Sequence, residues 1–75
     1  MKIMNEISIF YHANLYPENV IRAAVQQYAE ICSIRVEQQE NGISCIFSES
    51  ITDLELTAKE FSNYLIEMVN SWRTV

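Results

Sequence analysis

Few side chains in this sequence could take part in a chemical reaction. His12 is the single histidine, and no serine, cysteine or carboxylate stands at a spacing from which it would form a triad with it. Glu55, Glu60 and Glu67 fall on positions of a predicted helix that face solvent, where they do not pair about a substrate. The sequence therefore predicts no catalytic residue, and we expect that the protein is not an enzyme.

The two cysteines are expected to be structural. Cys32 and Cys45 both fall on inward positions of alternating segments, where a free cysteine behaves as a small apolar side chain. With one histidine and two separated cysteines, no metal-ligand spacing is present, and a chain with one glycine has no phosphate-binding loop. The sequence predicts neither a metal nor another cofactor.

The first half of the chain is patterned as a strand followed by a helix. Residues 3–11 alternate, which is typical of a strand. One face carries Ile3, Ile7, Ile9 and Tyr11, and the other carries Met4, Glu6, Ser8 and Phe10. Residues 17–31 place apolar side chains at helical spacing, and Pro17 suits the first turn of a helix.

A hairpin is predicted next, with Asn41 and Gly42 in a type I′ turn, because Asn-Gly tolerates the positive φ which that turn requires. With this turn Val36 lies opposite Phe47, and Cys45 lies opposite Gln38. Cys32 is then six positions, or about 20 Å, from the residue opposite Cys45, at a rise of about 3.3 Å per residue. A disulfide between the two cysteines is excluded on this register.

The last element is a predicted helix that begins at a capping box formed by Thr52 and Glu55. Its core stripe repeats at spacings of three and four residues and is expected to pack on the sheet. The stripe consists of Leu54, Ala58, Phe61, Leu65, Met68 and Trp72.

The element order is strand, helix, strand, strand, helix in a single domain over residues 1–75. We predict an α+β fold, a two-layer β-α-β-β-α arrangement with a three-stranded mixed sheet and two helices on one face. A right-handed crossover makes the first two strands parallel. The third strand is apolar on both faces, so the predicted order is 1-3-2.

Composition limits the partner classes. The net charge is −5 and the five basic residues are scattered, so neither nucleic acid nor an anionic membrane is an expected partner. The N-terminus lacks the apolar core of a secretory signal, and no apolar run approaches about 18 residues. We expect a cytoplasmic protein.

Apolar side chains beyond those of the core predict a surface for a protein or peptide partner. Met4, Phe10 and Ile46 fall on the sheet face that the helices leave open. On the last helix, Asn63, Ile66 and Asn70 lie to one side of the core stripe. The first strand, at an edge and nearly free of charge, could also accept an added strand.

Two stretches resemble the HxsD family of small proteins from bacterial His-Xaa-Ser systems. They are "LYPENVIRAAVQQYAE" and "EFSNYLIEMVNSWR", and the resemblance covers roughly residues 7–73. The residues that carry it are Tyr16, Ala24, Tyr28, Glu60, Phe61, Asn63, Leu65 and Arg73. The resemblance implies an accessory subunit that acts beside radical SAM maturases, which modify a ribosomally made peptide.

Two functions stay open from the sequence. The first is a binding module of a peptide-modification system that contacts a maturase subunit, a precursor peptide or both. The alternative is a self-assembling structural protein or an antitoxin-like interaction module, whose acidity masks a basic partner surface. A homodimer is compatible with either.

Overall fold

Three strands and two helices follow one another in the predicted order. The computed structural model describes residues 6–73, so Ile3 and Met4, which the sequence places in the first strand, lie outside the described part. The elements are β1 (Ile7–His12), α1 (Glu18–Tyr28), β2 (Ser33–Gln39), β3 (Gly42–Ser48) and α2 (Leu54–Arg73).

Strand β3 lies between β1 and β2, which confirms the predicted order 1-3-2. The α+β class with three strands and two helices is also confirmed. Both hydrogen-bonded strand pairs are antiparallel. β1 and β2 therefore run in the same direction, as the crossover requires, but they are not neighbours. The sheet is antiparallel, which corrects the description of it as mixed.

The loop of the β2–β3 hairpin consists of Glu40 and Asn41, one residue earlier than predicted. Gly42 is already the first residue of β3 and its φ is not positive. Among the described residues only Glu49 has a positive φ, of 51°, so the predicted type I′ turn at Asn41 and Gly42 is wrong.

The earlier position of the turn also corrects the register of the hairpin. Val36 lies opposite Cys45 rather than Phe47. Each partner changes by two positions, and because side chains alternate with period two, every residue keeps its predicted face. Cys32 is now four positions from the residue opposite Cys45, about 13 Å at about 3.3 Å per residue. Both cysteines are buried and free, as predicted.

Gly42 is required for the close approach of β1. A Cβ atom at this position would lie 2.3 Å from the carbonyl oxygen of Tyr11 and 2.7 Å from a ring carbon of Phe10. Real Cβ atoms do not come this close to backbone oxygens. The glycine therefore permits a contact between strands distant in sequence, and the ring of Phe10 covers the space that its side chain leaves.

Helix α2 begins one residue later than the predicted capping box implies. The Oδ1 atom of Asp53 accepts hydrogen bonds from the backbone N–H groups of Glu55 at 2.9 Å and Leu56 at 3.4 Å, so Asp53 is the N-cap. The Thr52 hydroxyl instead lies 2.8 Å from the hydroxyl of Thr57. The box between Thr52 and Glu55 is therefore not formed, and the cap lies one residue later, at Asp53.

Phe61 of α2 stands where the helices and the sheet meet. Its ring centroid lies 5.1 Å from that of Phe47 on β3 and 5.3 Å from that of Tyr28 on α1, both in edge-on contacts. The inward residues Ile43 and Cys45 belong to the same core. Both helices thus cover one face of the sheet, with α1 against β2 and α2 against β1 and β3.

The core stripe of α2 is largely as predicted. Ala58, Phe61 and Leu65 are buried, Leu54 and Met68 are half-buried, and the side chain of Trp72 lies outside the described part. Thr57 and Val69 are buried as well, which the sequence did not predict. Thr57 is accommodated because its hydroxyl donates to the carbonyl of Asp53 at 2.9 Å.

Candidate interaction surfaces

The sheet face opposite the helices carries one large exposed apolar side chain in its described part. Phe10 is 47% exposed, and its ring stands edge-on to that of His12 with a centroid distance of 6.1 Å. Met4, predicted to lie on this face, falls outside the described residues. The exposed apolar surface here is therefore centred on Phe10.

Ile46 lies on the same open sheet face but is only 6% exposed. Its cross-strand neighbours are Ser8 on β1 and Arg35 on β2. An arginine can lay its aliphatic stem along apolar surface while its charge stays in water. Because Ile46 belongs to the central strand, its neighbours cover it from both sides, and it offers little area to a partner.

Three predicted contact residues of α2 are all exposed. We call Asn63, Ile66 and Asn70 the α2 patch. Ile66 is 44% exposed and lines a cavity of about 140 Å³ together with Leu15, Tyr16, Val69 and Asn70. Asn63 does not line that cavity. The structure thus brings Ile66 and Asn70 together with the loop that follows β1.

The two flanks of α2 face different neighbours. The hydroxyl of Ser62 lies 2.7 Å from the hydroxyl of Tyr11 on β1, whereas the ring of Tyr64 lies 5.7 Å from that of Tyr28 on α1. Ile66 follows Ser62 by one helical turn and so shares its flank. The α2 patch consequently borders the β1 side of the molecule.

A larger cleft lies on the opposite side, between α1 and β2. It has a volume of about 460 Å³ and is open to solvent. We call it the α1–β2 cleft. Its lining residues are Val25, Ala29, Cys32, Ser33, Ile34, Arg35 and Ser48.

Sequence reasoning missed the α1–β2 cleft. Val25 and Ile34 occupy apolar positions of the helical and strand patterns, which predict burial, but both are only half-buried. The signal was weak, because the cleft depends on the distance between α1 and the edge of β2. A short turn connects α1 to β2 and determines where β2 begins. In this turn Cys32 donates its backbone N–H to the carbonyl of Tyr28 at 3.0 Å.

The hydrogen bonds of β3 fix which main-chain groups remain open at the two sheet edges. Just beyond the ladder, the N–H of Ala13 donates to the carbonyl of Asn41 at 2.8 Å. Hydrogen-bonded pairs alternate along an antiparallel ladder, so the odd-numbered residues of β3 bond to β1 and the even-numbered ones bond to β2.

The outward groups of the two edge strands follow from this alternation. On β1 the N–H and C=O groups of Ser8 and Phe10 point away from the sheet, and so does the carbonyl of His12, which accepts from Leu15 and Tyr16. On β2 the corresponding groups belong to Ile34, Val36 and Gln38. Ile34 also lines the α1–β2 cleft. That cleft therefore has main-chain hydrogen-bonding groups along one wall.

The thiols are held in the protonated form by their surroundings. Burial raises the pKa of Cys45 to about 11, and burial also raises the pKa of Cys32, whose thiol donates to the carbonyl of Ser48 at 3.3 Å. A thiol is a much weaker nucleophile than a thiolate. Among residues 6–73, no group of three His, Cys, Asp or Glu side chains could hold a metal ion.

The family model of the His-Xaa-Ser system protein HxsD matches residues 11–73. The chain belongs to the HxsD family. No curated protein and no solved structure matches this sequence. Family membership suggests an accessory protein of a His-Xaa-Ser system. Within the described residues of this HxsD protein, no helix combines the length and the apolar character needed to cross a membrane.

Several residues that carried the family resemblance have structural roles. Tyr28, Phe61 and Leu65 contribute to the core, and Tyr16 stacks edge-on against Tyr11 at 5.2 Å. These side chains maintain the packing of the helices against the sheet. The resemblance to HxsD therefore largely reflects the fold, and Glu60 and Asn63 are the exposed positions among those whose side chains the structure describes.

Proposed function

We propose that this HxsD protein is a non-catalytic accessory subunit of a radical SAM peptide-modification system. Its partner is the precursor peptide or the maturase that modifies it, and the contact is an extended segment of that partner in the α1–β2 cleft. Family membership supports a role in a His-Xaa-Ser system. The cleft is the observation that carries the binding role.

The size of the α1–β2 cleft suits a partner segment. Binding clefts usually measure about 300–1,000 Å³, a range that includes the 460 Å³ of this cleft but not the 140 Å³ beside Ile66. Half-buried Val25 and Ile34 provide apolar contact area. Ser33 and Ser48 also line the cleft and supply polar atoms. This combination accommodates an apolar side chain and leaves polar atoms to orient it.

The edge of β2 supplies main-chain specificity for an extended segment. Outward N–H and C=O groups on Ile34 and Val36 would pair with a strand laid along β2, which is the usual mode of peptide recognition by strand addition. Side chains of such a segment alternate, so every second one would turn toward α1 and into the cleft. The partner segment is therefore expected to carry an apolar residue at that position.

Matched substitutions of two alanines test this proposal, one within α1 and one at its C-cap. Ala29 is exposed and lines the cleft, whereas Ala23 is exposed and does not line it. Ala29→Arg should fill the cleft and weaken binding of the precursor peptide or maturase at least tenfold in a titration, while Ala23→Arg should leave it unchanged. Equal binding by both variants would place the contact elsewhere, and no binding by the unmodified chain would refute the accessory role.

The α2 patch is a second proposed contact surface, and the open sheet face around Phe10 is a third; the sequence suggested both. Ile66→Asp should leave the fold intact, since surface changes usually alter stability by no more than about 0.5 kcal/mol. Leu65→Asp would bury an unpaired carboxylate and unfold the domain, as circular dichroism would show. If Ile66→Asp abolishes partner binding and Ala29→Arg does not, the maturase or peptide docks on α2 instead of the cleft.

A further inference from the structure

We propose that two copies of this chain pair through β1. The two strands would run antiparallel about a twofold axis at Ile9 and join two three-stranded sheets into one sheet of six strands. All four helices would then cover the same face. This inference rests on the geometry of β1 and stands whether or not the α1–β2 cleft binds a peptide.

The register follows from the direction of the main-chain groups. Outward hydrogen-bonding groups belong to even-numbered residues of β1, so hydrogen-bonded partners across a β1–β1 pair must both be even-numbered. Placing Ser8 opposite Phe10 of the second copy satisfies this condition and sets every residue from Glu6 to His12 opposite a partner. The main-chain hydrogen bonds come chiefly from Ser8 and Phe10, because the carbonyl of His12 already accepts from Leu15 and Tyr16. Ile9 then faces Ile9 of the second copy in a pair without mutual hydrogen bonds.

The ends of the paired strands complement each other. In this register Glu6 lies opposite His12 of the second copy, at both ends of the pair. The Nδ1 atom of His12 accepts the N–H of Asn14 at 3.2 Å, so the neutral imidazole carries its proton on Nε2. Nε2–H can donate to the carboxylate of Glu6, and both residues are exposed in the single chain.

The helix-facing side of β1 has apolar surface that a second copy would cover. Ile7 and Ile9 pack against the core but are only half-buried. In the proposed pair, Ile9 meets its own counterpart and Ile7 meets Tyr11 of the second copy. Burying apolar surface contributes roughly 25 cal/mol per Å², which adds to the hydrogen bonds of the strand pair.

Pairing through β1 leaves β2 at both outer edges of the six-stranded sheet. β2 carries an ion pair, Arg35 to Glu37 at 3.2 Å, and such charges discourage pairing with another copy of the chain, whereas a partner segment of matching charge can still lie along β2. β1 from Ile7 to His12 contains no Lys, Arg, Asp, Glu or Pro. The unprotected edge would be covered and the protected edge would remain at the rim, so assembly would end at two copies.

Cysteine cross-linking of the full chain tests the register, in a Cys45→Ala background because Cys45 lies directly opposite Ile9 on β3. Ile9→Cys places two thiols at the twofold axis, with Cα atoms about 4.5 Å apart, which allows a disulfide. Ile7→Cys is the matched control, because its two copies would be separated by four residues, about 13 Å at 3.3 Å per residue. Mild oxidation should yield a covalent dimer of Ile9→Cys and leave Ile7→Cys and the unmodified chain monomeric on a non-reducing gel.

A proline substitution tests the edge itself. The N–H of Ser8 points outward, so Ser8→Pro removes a hydrogen bond of the proposed pair and none of the β1–β3 ladder. Sedimentation equilibrium should show a dimer for the unmodified chain and at least a tenfold weaker association for Ser8→Pro, with an unchanged circular dichroism spectrum.

Three results would overturn the proposal: a monomeric unmodified chain, cross-linking of Ile7→Cys in place of Ile9→Cys, or undiminished association of folded Ser8→Pro. Should Ser8→Pro fail to fold, the cross-linking pair still decides. If the chain is a monomer and a foreign extended peptide binds along β1, the β1 edge accepts a peptide and not a second copy.

Discussion

The two edges of the sheet offer their main-chain groups from residues that face opposite layers. On β1 the outward groups belong to Ser8 and Phe10, whose side chains lie on the open sheet face. On β2 they belong to Ile34 and Val36, whose side chains face the helices. One antiparallel ladder therefore creates two different edges, one next to a bare face and one next to a cleft.

The helices make the difference between the edges larger. α2 packs over β1 and β3, and the contact between Tyr11 and Ser62 ties β1 to it. α1 packs beside β2 and leaves the α1–β2 cleft open. A flat contact with a matching strand suits β1, whereas β2 has a recess for a side chain. The position of a helix relative to an edge thus decides what kind of partner the edge can accept.

The largest effect on this comparison is expected from Gly42→Val. The added side chain would collide with the Tyr11 carbonyl and the Phe10 ring, so β1 must move away from β3. Overpacking of this kind typically destabilises by about 1–3 kcal/mol, a large part of the roughly 3–5 kcal/mol that a domain of this size has in total. Urea denaturation should show a strongly lowered midpoint of unfolding.

Ser44→Val is the control for that substitution. Ser44 lies two residues along β3 on the same face, half-buried between Phe10 and Glu37. A β-branched residue suits a strand, so stability should change by no more than about 0.5 kcal/mol. Equal losses from both variants would show that the close approach of β1 is not what Gly42 provides.

The hairpin shows how far local sequence signals reach. Asn-Gly correctly marked the region of the turn, and the apolar pattern of β3 correctly predicted the central strand. The predicted register was wrong because the glycine at position 42 was explained by a positive φ. A glycine stands there because β1 comes too close for a side chain, at Phe10 and Tyr11, about thirty residues away in sequence. A tertiary contact between strands is not visible in the residues around the turn.

For the candidate surfaces, too, the sequence predicted features that depend on one element and missed features that depend on contacts between elements. Helical periodicity correctly placed Ile66 and Asn70 on an exposed flank, since periodicity depends only on positions within one helix. It could not predict that Ile46 would be covered, because its neighbours Ser8 and Arg35 come from two other strands. The α1–β2 cleft was missed for a related reason, since a cleft is a distance between elements and not a property of either.

A rise in pH should weaken the layer of core between the two edges. Cys45 lies between Ile9 of β1 and Val36 of β2. Burial raises the pKa of Cys45 from 9 to about 11 and the pKa of Tyr11 from 10 to about 12. Because each folded-state pKa is above the unfolded value, this stability is present below pH 9 and is lost as the pH rises toward 11 and 12.

Thermal unfolding between pH 8 and pH 11 measures that loss. The melting temperature of the unmodified chain should fall by several degrees over this interval. In Cys45→Ala the fall should be smaller, because one of the two ionising groups is gone, even though the variant starts from a lower stability. An identical pH dependence would mean that the thiol ionises without disturbing the core.

Tyr11→Phe is expected to loosen β1 without touching β2. It removes the hydroxyl that lies 2.7 Å from the hydroxyl of half-buried Ser62, and such a hydrogen bond contributes about 1 kcal/mol. Hydrogen exchange should speed up on β1 more than on β2. Ser62→Ala in the same background restores part of the loss if the unpaired Ser62 hydroxyl is its cause; uniform exchange across both strands would contradict a local role.

The smallest effect is expected at β2, from Arg35→Gln. Arg35 and Glu37 form an ion pair in which both side chains are exposed, by 60% and 50%. Exposed pairs contribute about 0–1 kcal/mol to stability. Urea denaturation should therefore show a change of less than about 0.5 kcal/mol.

The consequence of these charges for association is different, because β2 carries charged residues and β1 does not. Glu37→Gln combined with Arg35→Gln removes both charges and should let the second edge pair, so that species larger than a dimer appear in sedimentation at high protein concentration. Gln38→Ala, on the same strand, removes no charge and serves as the control. If the doubly substituted chain keeps the same mass as the unmodified one, the charges are not what prevents further copies from pairing with β2.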